Sequence, residues 1–472
     1  MRKLIVMQVL ILGFIGITAQ SVLADAQTES SNPSTDEIKQ LISDEARERG
    51  IPPEILKAIA YVETGYQQYN SDGTPYISDD CGIGILQVTP EKIDIPVDTD
   101  RLKTDMEYNI EIGAQVLENK WNLDYLPKLN NHDKTNLEDW YFAIMAYNGL
   151  SKTNDPNIQP DHGEERPYQE KVYDRMEGSS LIYWDKAHFI FPTFDIRYDG
   201  NNAMKFPDGK NYQTKTITPS QQMYDKGDIV YVDKRDGSVS LHEGSIDGPV
   251  NSKLWPFTPL TIASEPVESS STGNDFAYYK VKGVTAEGYM ASAYLNEGSK
   301  EILFNDPMDD KRAAALAFAA MNGYVQGYPN GDFGSGDSLK REHVAVILDN
   351  ILSLSAPGNY QMVADDVEKD NPYYEQLAEA EFNKYLGGGG KLRPKEYFTR
   401  SQMAQVMTEA FDTHYKQPED IHTFKDQENI WNPDAVNTIY SNDVTVADPF
   451  NPNDPITRSQ FAIFIYRTMV DY

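Results

Sequence analysis

Ile51-Pro52-Pro53-Glu54-Ile55-Leu56-Lys57-Ala58-Ile59-Ala60-Tyr61-Val62-Glu63-Thr64 is the stretch whose reading decides the fold. Its prolines stand where a helix can begin, because the first helical N–H groups have no partner inside the helix. Ile55, Ile59 and Val62 then repeat at helical spacing. On the helical wheel Glu63 falls between Ile59 and Leu56, which places a carboxylate on the apolar side. Burial disfavours the charged form of a carboxyl and raises its pKa. A carboxylic acid held protonated near neutral pH is what cleavage of a glycosidic bond requires, since the leaving oxygen must receive a proton. The competing reading is a Glu at the rim of the stripe, paired with a Lys or Arg; periodicity alone favours that one.

The helical pattern extends from about 36 to 177. A second helix is expected near Asn109–Trp121, with Ile110, Gly113, Leu117 and Trp121 along one side. A third covers Leu137–Tyr147 and stops at Asn148-Gly149. Within this region Glu63-Thr64, Gly84-Ile85-Leu86-Gln87 and Ala146-Tyr147-Asn148-Gly149 follow in order, with Pro167-Tyr168 after them. Taken singly, these are a helix rim, a turn glycine and a C-cap. Taken together, they resemble the soluble-type lytic transglycosylase domain, a relative of goose-type lysozyme, over about 140 residues. Thr64 stands where the family usually has Ser and keeps the hydroxyl. Leu86 stands where it usually has Met and keeps the volume.

The resemblance implies an all-α lysozyme-like fold with Glu63 as catalytic acid, acting on the glycan strands of peptidoglycan. Thr64, Gln87, Tyr147, Asn148 and Tyr168 would form the substrate-binding set. Tyr147 would hydrogen-bond and orient Glu63, Gln87 and Asn148 would hold the sugar chain, and Tyr168 belongs to a motif that closes the cleft. The muramic 6-hydroxyl would attack its own C1, giving a 1,6-anhydro sugar without a second catalytic carboxylate. Asp79 and Asp80 leave an alternative open: either could activate water, making the chain a hydrolysing muramidase. A third reading is a non-catalytic S-layer or wall-binding protein.

Composition narrows the partners. The 472-residue chain carries a formal net charge of −31, which argues against nucleic acid and anionic lipid, both of which call for clustered Lys and Arg. The length suggests several domains. Met1-Arg2-Lys3, the apolar run from Leu4 to about Ile17 and the small residues around Val22-Leu23-Ala24 read as a signal peptide over 1–24, with no membrane span left once it is removed. The expected location is therefore secreted, at the cell wall or S-layer surface of a Gram-positive-type bacterium. Cys81 is the single cysteine, so no internal disulfide and no Cys-rich zinc site can form. The seven His make no His-x-x-x-His pair; no metal and no cofactor are expected.

Residues 178–215 are aromatic and irregular, a linker or an unassigned segment. Over 216–297, runs such as Asp228-Ile-Val-Tyr-Val232 and Tyr278-Tyr-Lys-Val-Lys282 alternate between Gly-containing turns, the signature of a small all-β module. Tyr279-Lys-Val-Lys-Gly283, Gly288-Tyr289-Met290 and Tyr294-Leu295 resemble the end of a bacterial SH3-like domain, a small barrel that would serve as a wall binder or a spacer.

The last third repeats. Phe304-Asn-Asp306, Ala364-Asp-Asp366 and Phe424-Lys-Asp426 each open a segment, and Lys340-Arg341-Glu-His343, Thr399-Arg400-Ser-Gln402 and Thr457-Arg458-Ser-Gln460 follow at nearly equal intervals. Thr followed three residues later by Gln is a capping box. It does not account for an Arg in each first turn, where the helix dipole disfavours a cation; an Arg beside free N–H groups makes an anion site. With Gly327-Tyr328-Pro329-Asn330-Gly331, the array resembles three S-layer homology repeats at 303–356, 362–413 and 423–472, in an α-helical three-repeat domain. The resemblance implies a secondary cell wall polysaccharide, a pyruvylated polymer, bound by Arg341, Arg400 and Arg458. Lys340 replaces the capping Thr in the first copy, and the glycine-tyrosine turn is lost from the other two. Arg400 and Arg458 are therefore the better ligand candidates, and fewer than three strong sites are expected.

Overall fold

The computed structural model describes residues 31–158, 166–179, 189–234, 237–306, 308–387 and 390–470. The expected signal peptide at 1–24 lies outside them. No helix among the described residues is long and apolar enough to cross a membrane.

The N-terminal unit is helical. Its main elements are α1 (Thr35–Glu48), α2 (Pro53–Thr64), α3 (Thr99–Thr104), α4 (Met106–Trp121), α5 (Tyr141–Asn148) and α6 (Tyr168–Ser179). Helix α2 starts on proline, as the sequence predicts, and ends at Gly65 in the left-handed conformation, which only glycine adopts without strain. Ile55, Leu56 and Ile59 are fully buried, and α2 packs between α1 and α6. The third expected helix splits into a short 3-10 turn at Glu138–Trp140 followed by α5.

Residues 189–215 are part of this unit rather than a free linker. Phe194 is buried, and Phe191 and Phe194 lie 4.1 and 5.2 Å from the Tyr141 ring. The short hairpin β1 (Arg197–Tyr198) and β2 (Met204–Lys205) attaches beside the end of α5, where Met204 N–H donates to the Leu150 carbonyl. Aromatic area, which no period of 2 or 3.6 reveals, holds the segment down.

The middle unit is one antiparallel sheet of β3 (Ile229–Val232), β4 (Val239–His242), β5 (Val250–Leu254), β6 (Pro259–Ile262), β7 (Tyr278–Lys282), β8 (Glu287–Ala291) and β9 (Leu295–Glu297). The strand order is β5-β4-β8-β7-β6-β3-β9. Inward residues alternate along each strand; Tyr279, Val281 and Met290 are fully buried.

The last unit is a ring of three helix pairs: α7 (Asp310–Met321) with α8 (Arg341–Leu352), α9 (Tyr374–Phe382) with α10 (Arg400–Ala410), and α11 (Pro433–Ser441) with α12 (Arg458–Met469). Helix α8 packs on α9, α10 on α11, and α12 back on α7, so the array closes on itself. At its centre Leu339 N–H donates to the Ile456 carbonyl, Ile456 N–H to Phe398, and Phe398 N–H to Leu339, all at 2.8–2.9 Å. In each pair the opening Asp accepts two backbone N–H bonds: Asp306 from Phe333 and Ser335, Asp366 from Leu392 and Arg393, Asp426 from Phe450 and Asn451. The interval of 60 residues from Asp306 to Asp366 and from Asp366 to Asp426 is thus the length of one structural unit.

The three units are bolted together by buried polar contacts. Lys57 pairs with Glu268 at 2.7 Å, both essentially without solvent contact. Glu54 accepts from Ser220 Oγ and from Gln221 N–H. On the far side of the sheet Asp310, at the start of α7, accepts from Val284 and Thr285 N–H, and the Tyr466 hydroxyl donates to the Pro256 carbonyl.

Candidate active site

Glu63 sits in the last turn of α2, half-buried. Its Oε1 accepts a hydrogen bond from the Tyr168 hydroxyl at 2.6 Å. Burial pushes the Glu63 carboxyl up to about 7; the Tyr168 bond pulls against this, the negative charge of Asp80 adds to it, and the positive charge of Lys171 opposes it. The acid is therefore half protonated near neutrality.

The cleft beside it is lined by Glu63, Asp80, Gln87, Lys92, Tyr147 and Asn148, among others. The three separated sequence motifs converge here. Gln87, at the end of the turn 84–87, lines the cleft floor, and the turn is held by four side chains. Thr64 Oγ1 donates to the Ile85 carbonyl at 3.2 Å, and Gln68 Oε1 accepts from Ile85 N–H at 2.9 Å. Asn109 Oδ1 accepts from Leu86 N–H at 3.1 Å, and the Tyr147 hydroxyl donates to the Leu86 carbonyl at 2.7 Å. Gly84 has φ +69, and a Cβ there would collide with Gln68 and Asn109, so the turn admits no side chain at this point. Gln87 itself is left-handed (φ 48), and its amide is turned back onto the Gly84 carbonyl.

One expected contact is replaced. The tyrosine bonded to Glu63 is Tyr168 on α6, while Tyr147 spends its hydroxyl on the loop. The reason is position: α6 packs directly on α2, whereas Tyr147 reaches across to the turn 84–87. Thr64 likewise supports the turn through its hydroxyl instead of lining the cleft. Sequence reasoning passed over Gln68, Asn109 and Asn154, all buried amides. Asn154 joins Asn148 Oδ1 and the Gly149 carbonyl to Tyr168 N–H, and so fixes the end of α5 against the start of α6. Gln68 and Asn109 betray themselves only as polar residues among apolar ones.

The two acidic candidates separate. Asp80 lines the cleft and is held below the ordinary carboxylate range by hydrogen bonds from Ser78 Oγ (2.6 Å) and Lys92 (3.1 Å). Asp79 is exposed and is not among the cleft residues. No group of three or more His, Cys, Asp or Glu placed to hold a metal ion occurs among the described residues.

In the helical ring the capping boxes at Thr399–Gln402 and Thr457–Gln460 form as expected, and Lys340 contributes no side-chain cap. The arginines, however, face backbone. Arg341 Nε donates to the Leu392 carbonyl, Arg400 Nε to Phe450 and Arg458 Nε to Phe333, each in the next unit round the ring. The N–H groups that would complete an anion site are also taken: Arg341, Arg400 and Arg458 N–H donate to the carbonyls of Glu396, Asp454 and Asp337. Closing the ring consumes the helix N-termini. Arg400 keeps a second face, because it lines a groove with Lys311, Arg312, Gln460 and Arg467.

Comparison with known families finds matches to two stretches of the chain. Residues 40–167, the helical stretch holding Glu63, match the transglycosylase SLT domain. Residues 423–462, in the third helix pair, match the S-layer homology domain. The surface-layer 125 kDa protein of Lysinibacillus sphaericus is 29% identical over 157 residues, covering 31% of this chain and 13% of that protein. S-layer protein EA1 of Bacillus anthracis is 27% identical over 163 residues, covering 34% of this chain and 19% of that protein. The chain thus spans less than a fifth of the length of these relatives.

Proposed function

We propose that the chain is a surface-held lytic transglycosylase acting on peptidoglycan. The observation that carries the reading is Glu63: a half-buried carboxyl at the wall of an open cleft, pushed up to about 7 and bonded to Tyr168. Protonated Glu63 gives its proton to the glycosidic oxygen between N-acetylmuramic acid and N-acetylglucosamine, and the C1–O bond breaks. The carboxylate so formed takes the proton of the muramic 6-hydroxyl as that oxygen bonds to C1. One proton leaves Glu63 and one returns; no water is consumed, and the new end is a 1,6-anhydro sugar. Gln87 and Asn148, at the floor and rim of the cleft, hold the glycan strand.

The helical ring would tether the enzyme as three S-layer homology repeats on a bacterial cell surface, through an anionic wall polysaccharide. Support comes from the domain match at 423–462, the S-layer relatives and the cationic groove around Arg400. The sheet of residues 216–297 is read as an SH3-like module.

One observation favours a second reading. Asp80 shares the cleft with Glu63 and is ionised, as a base that activates water must be. Digestion of purified peptidoglycan decides between them by product. Anhydro-muramic ends support the transglycosylase, and new reducing muramic ends support hydrolysis. Loss of all cleavage in Glu63→Gln is expected under either. Unchanged cleavage in that variant, or none by the parent chain, returns the protein to the non-catalytic class.

A further inference from the structure

Besides the Lys57–Glu268 pair, the middle module reaches the active-site helices through Asp275, in the loop before β7. Asp275 has no solvent exposure. Its Oδ1 accepts from the Tyr66 hydroxyl at 2.6 Å and from Arg175 Nη2 at 2.9 Å, and its Oδ2 accepts from Arg175 Nε at 2.6 Å. Lys39 Nζ lies 3.5 Å from Oδ1. The Asp275 backbone is also fixed, its N–H donating to the Ser179 carbonyl at the end of α6 and its carbonyl accepting from Gln222.

Two of the three partners of this carboxylate, Tyr66 and Arg175, sit on the two elements that carry the Glu63–Tyr168 pair. Tyr66 follows Glu63 by one turn of chain, past the Gly65 cap of α2. Arg175 lies two turns beyond Tyr168 on α6, hence on the same face. Arg175 also stacks 3.5 Å from the Tyr61 ring, and Tyr61 lies two residues before Glu63 on α2. Asp275 therefore ties the end of α2 to the body of α6 with a charge-assisted fork, at a point neither helix could fix alone.

We propose that Asp275 is a positioning residue for the Glu63–Tyr168 contact, which makes the β-module a part of the catalytic apparatus as well as a link to the helical ring. The proposal rests on the transglycosylase reading of Glu63. It gives the module a task that neither a spacer nor a wall binder would need, because both would leave the α2–α6 junction to itself. Small displacements at a reacting pair cost rate more than affinity, since substrate is held by the cleft floor while proton transfer depends on the pair.

The test uses the full chain carrying Asp275→Asn, and separately Tyr66→Phe, which removes one hydroxyl without leaving a charge unpaired. Turnover is measured on solubilised peptidoglycan, with folding checked by circular dichroism. For Asp275→Asn, kcat is expected to fall about tenfold with KM within about twofold, and for Tyr66→Phe about threefold with the same split. Each variant is then combined with Tyr168→Phe. Because Asp275 acts through Tyr168, its loss in that background is expected to cost less than about twofold. Parent kcat in a folded Tyr66→Phe chain, or full additivity with Tyr168→Phe, overturns the proposal. Should Asp275→Asn fail to fold, Tyr66→Phe and its double variant decide alone. Glu63→Gln separates the two levels: if it cleaves like the parent, the transglycosylase reading has failed. If it is inactive while Tyr66→Phe is normal, only the role of Asp275 has failed.

Discussion

The Tyr168 hydroxyl donates to Glu63 Oε1 across the α2–α6 interface at 2.6 Å, so the acid and its orienting donor come from chain segments 105 residues apart. The bond stabilises the ionised carboxylate and pulls the Glu63 pKa down against the larger effect of burial. Tyr168→Phe should therefore lower kcat about tenfold, since a hydrogen bond to a charged group contributes about 1.5–3 kcal/mol. It should also move the alkaline limb of the rate profile to higher pH, because Glu63 then holds its proton longer. A limb that stays in place in the variant would show that the contact is not made during turnover.

The raised Glu63 pKa has consequences for both rate and stability. As general acid Glu63 must be protonated, so cleavage should be full at acidic pH and fall as pH rises through about 7. The same group affects folding. Its folded pKa, about 7, lies above its ordinary value of 4.5. The unfolded chain ionises first as pH rises, so the stability this carboxyl contributes is full below 4.5 and lost on the way to 7. The loss amounts to about 3 kcal/mol. Glu63→Gln should consequently be more stable than the parent at pH 8 and equal to it at pH 4. Urea melts at the two values check this; equal stabilities at pH 8 would mean that Glu63 is solvated.

The buried Lys57–Glu268 pair joins α2 to the β-module, and Ser43 Oγ completes it with a 2.7 Å bond to the same carboxylate oxygen. Glu268→Gln removes the charge and leaves a buried ammonium without its anion, a change that costs about 3–5 kcal/mol. Hydrogen exchange should show amides of α2 and of the sheet losing protection together. Loss confined to the sheet would mean that the two units open separately.

How much of this was legible in the sequence depended on what kind of signal each residue carried. Glu63 stood out as a charge on an apolar helical stripe, but periodicity alone favoured a structural role; it was the resemblance carried by Glu63-Thr64, Gly84-Ile85-Leu86-Gln87 and Ala146-Tyr147-Asn148 in order that marked the cleft. The helix pairs of the ring were legible through repetition. Tyr168 as partner of Glu63 was not, since two helices distant in sequence meet only through tertiary packing. The aromatic strap at 189–215 has no period to read. The backbone partners of Arg341, Arg400 and Arg458 were not legible either: a cation in a helix first turn reads as an anion site, and the carbonyls it meets come from a neighbouring unit that in a single sequence is another copy of the same motif.

Arg400 combines a structural and a surface role, and the two can be separated. Its Nε holds the Phe450 carbonyl and its guanidinium lies 4.9 Å from the Phe450 ring. Arg400→Ala should cost the ring about 2 kcal/mol and lower its melting temperature. Arg312 lines the same groove with its side chain 61% exposed, and its guanidinium lies 3.9 Å from Asp309. Arg312→Glu should leave the melting temperature unchanged yet reduce sedimentation with purified cell walls about tenfold, more at low salt than at high. The double change Arg400→Ala with Arg458→Ala should also weaken sedimentation. Full sedimentation of Arg312→Glu at low salt would remove the groove from the wall-binding surface and leave the arginines as ring closures alone.

The choice of nucleophile turns on Asp80. If the muramic 6-hydroxyl attacks, Asp80 acts on the reaction only through its charge, which raises the Glu63 pKa. Asp80→Asn should then keep the anhydro product, hold kcat at low pH within about threefold, and move the alkaline limb to lower pH as that repulsion disappears. If water attacks, the same substitution removes its base. Cleavage should then fall by about a hundredfold or more, with the limb position of little consequence. Product analysis and the rate profile of this one variant therefore give opposite outcomes for the two mechanisms, and a loss of that size with reducing ends in the parent digest would overturn the transglycosylase reading.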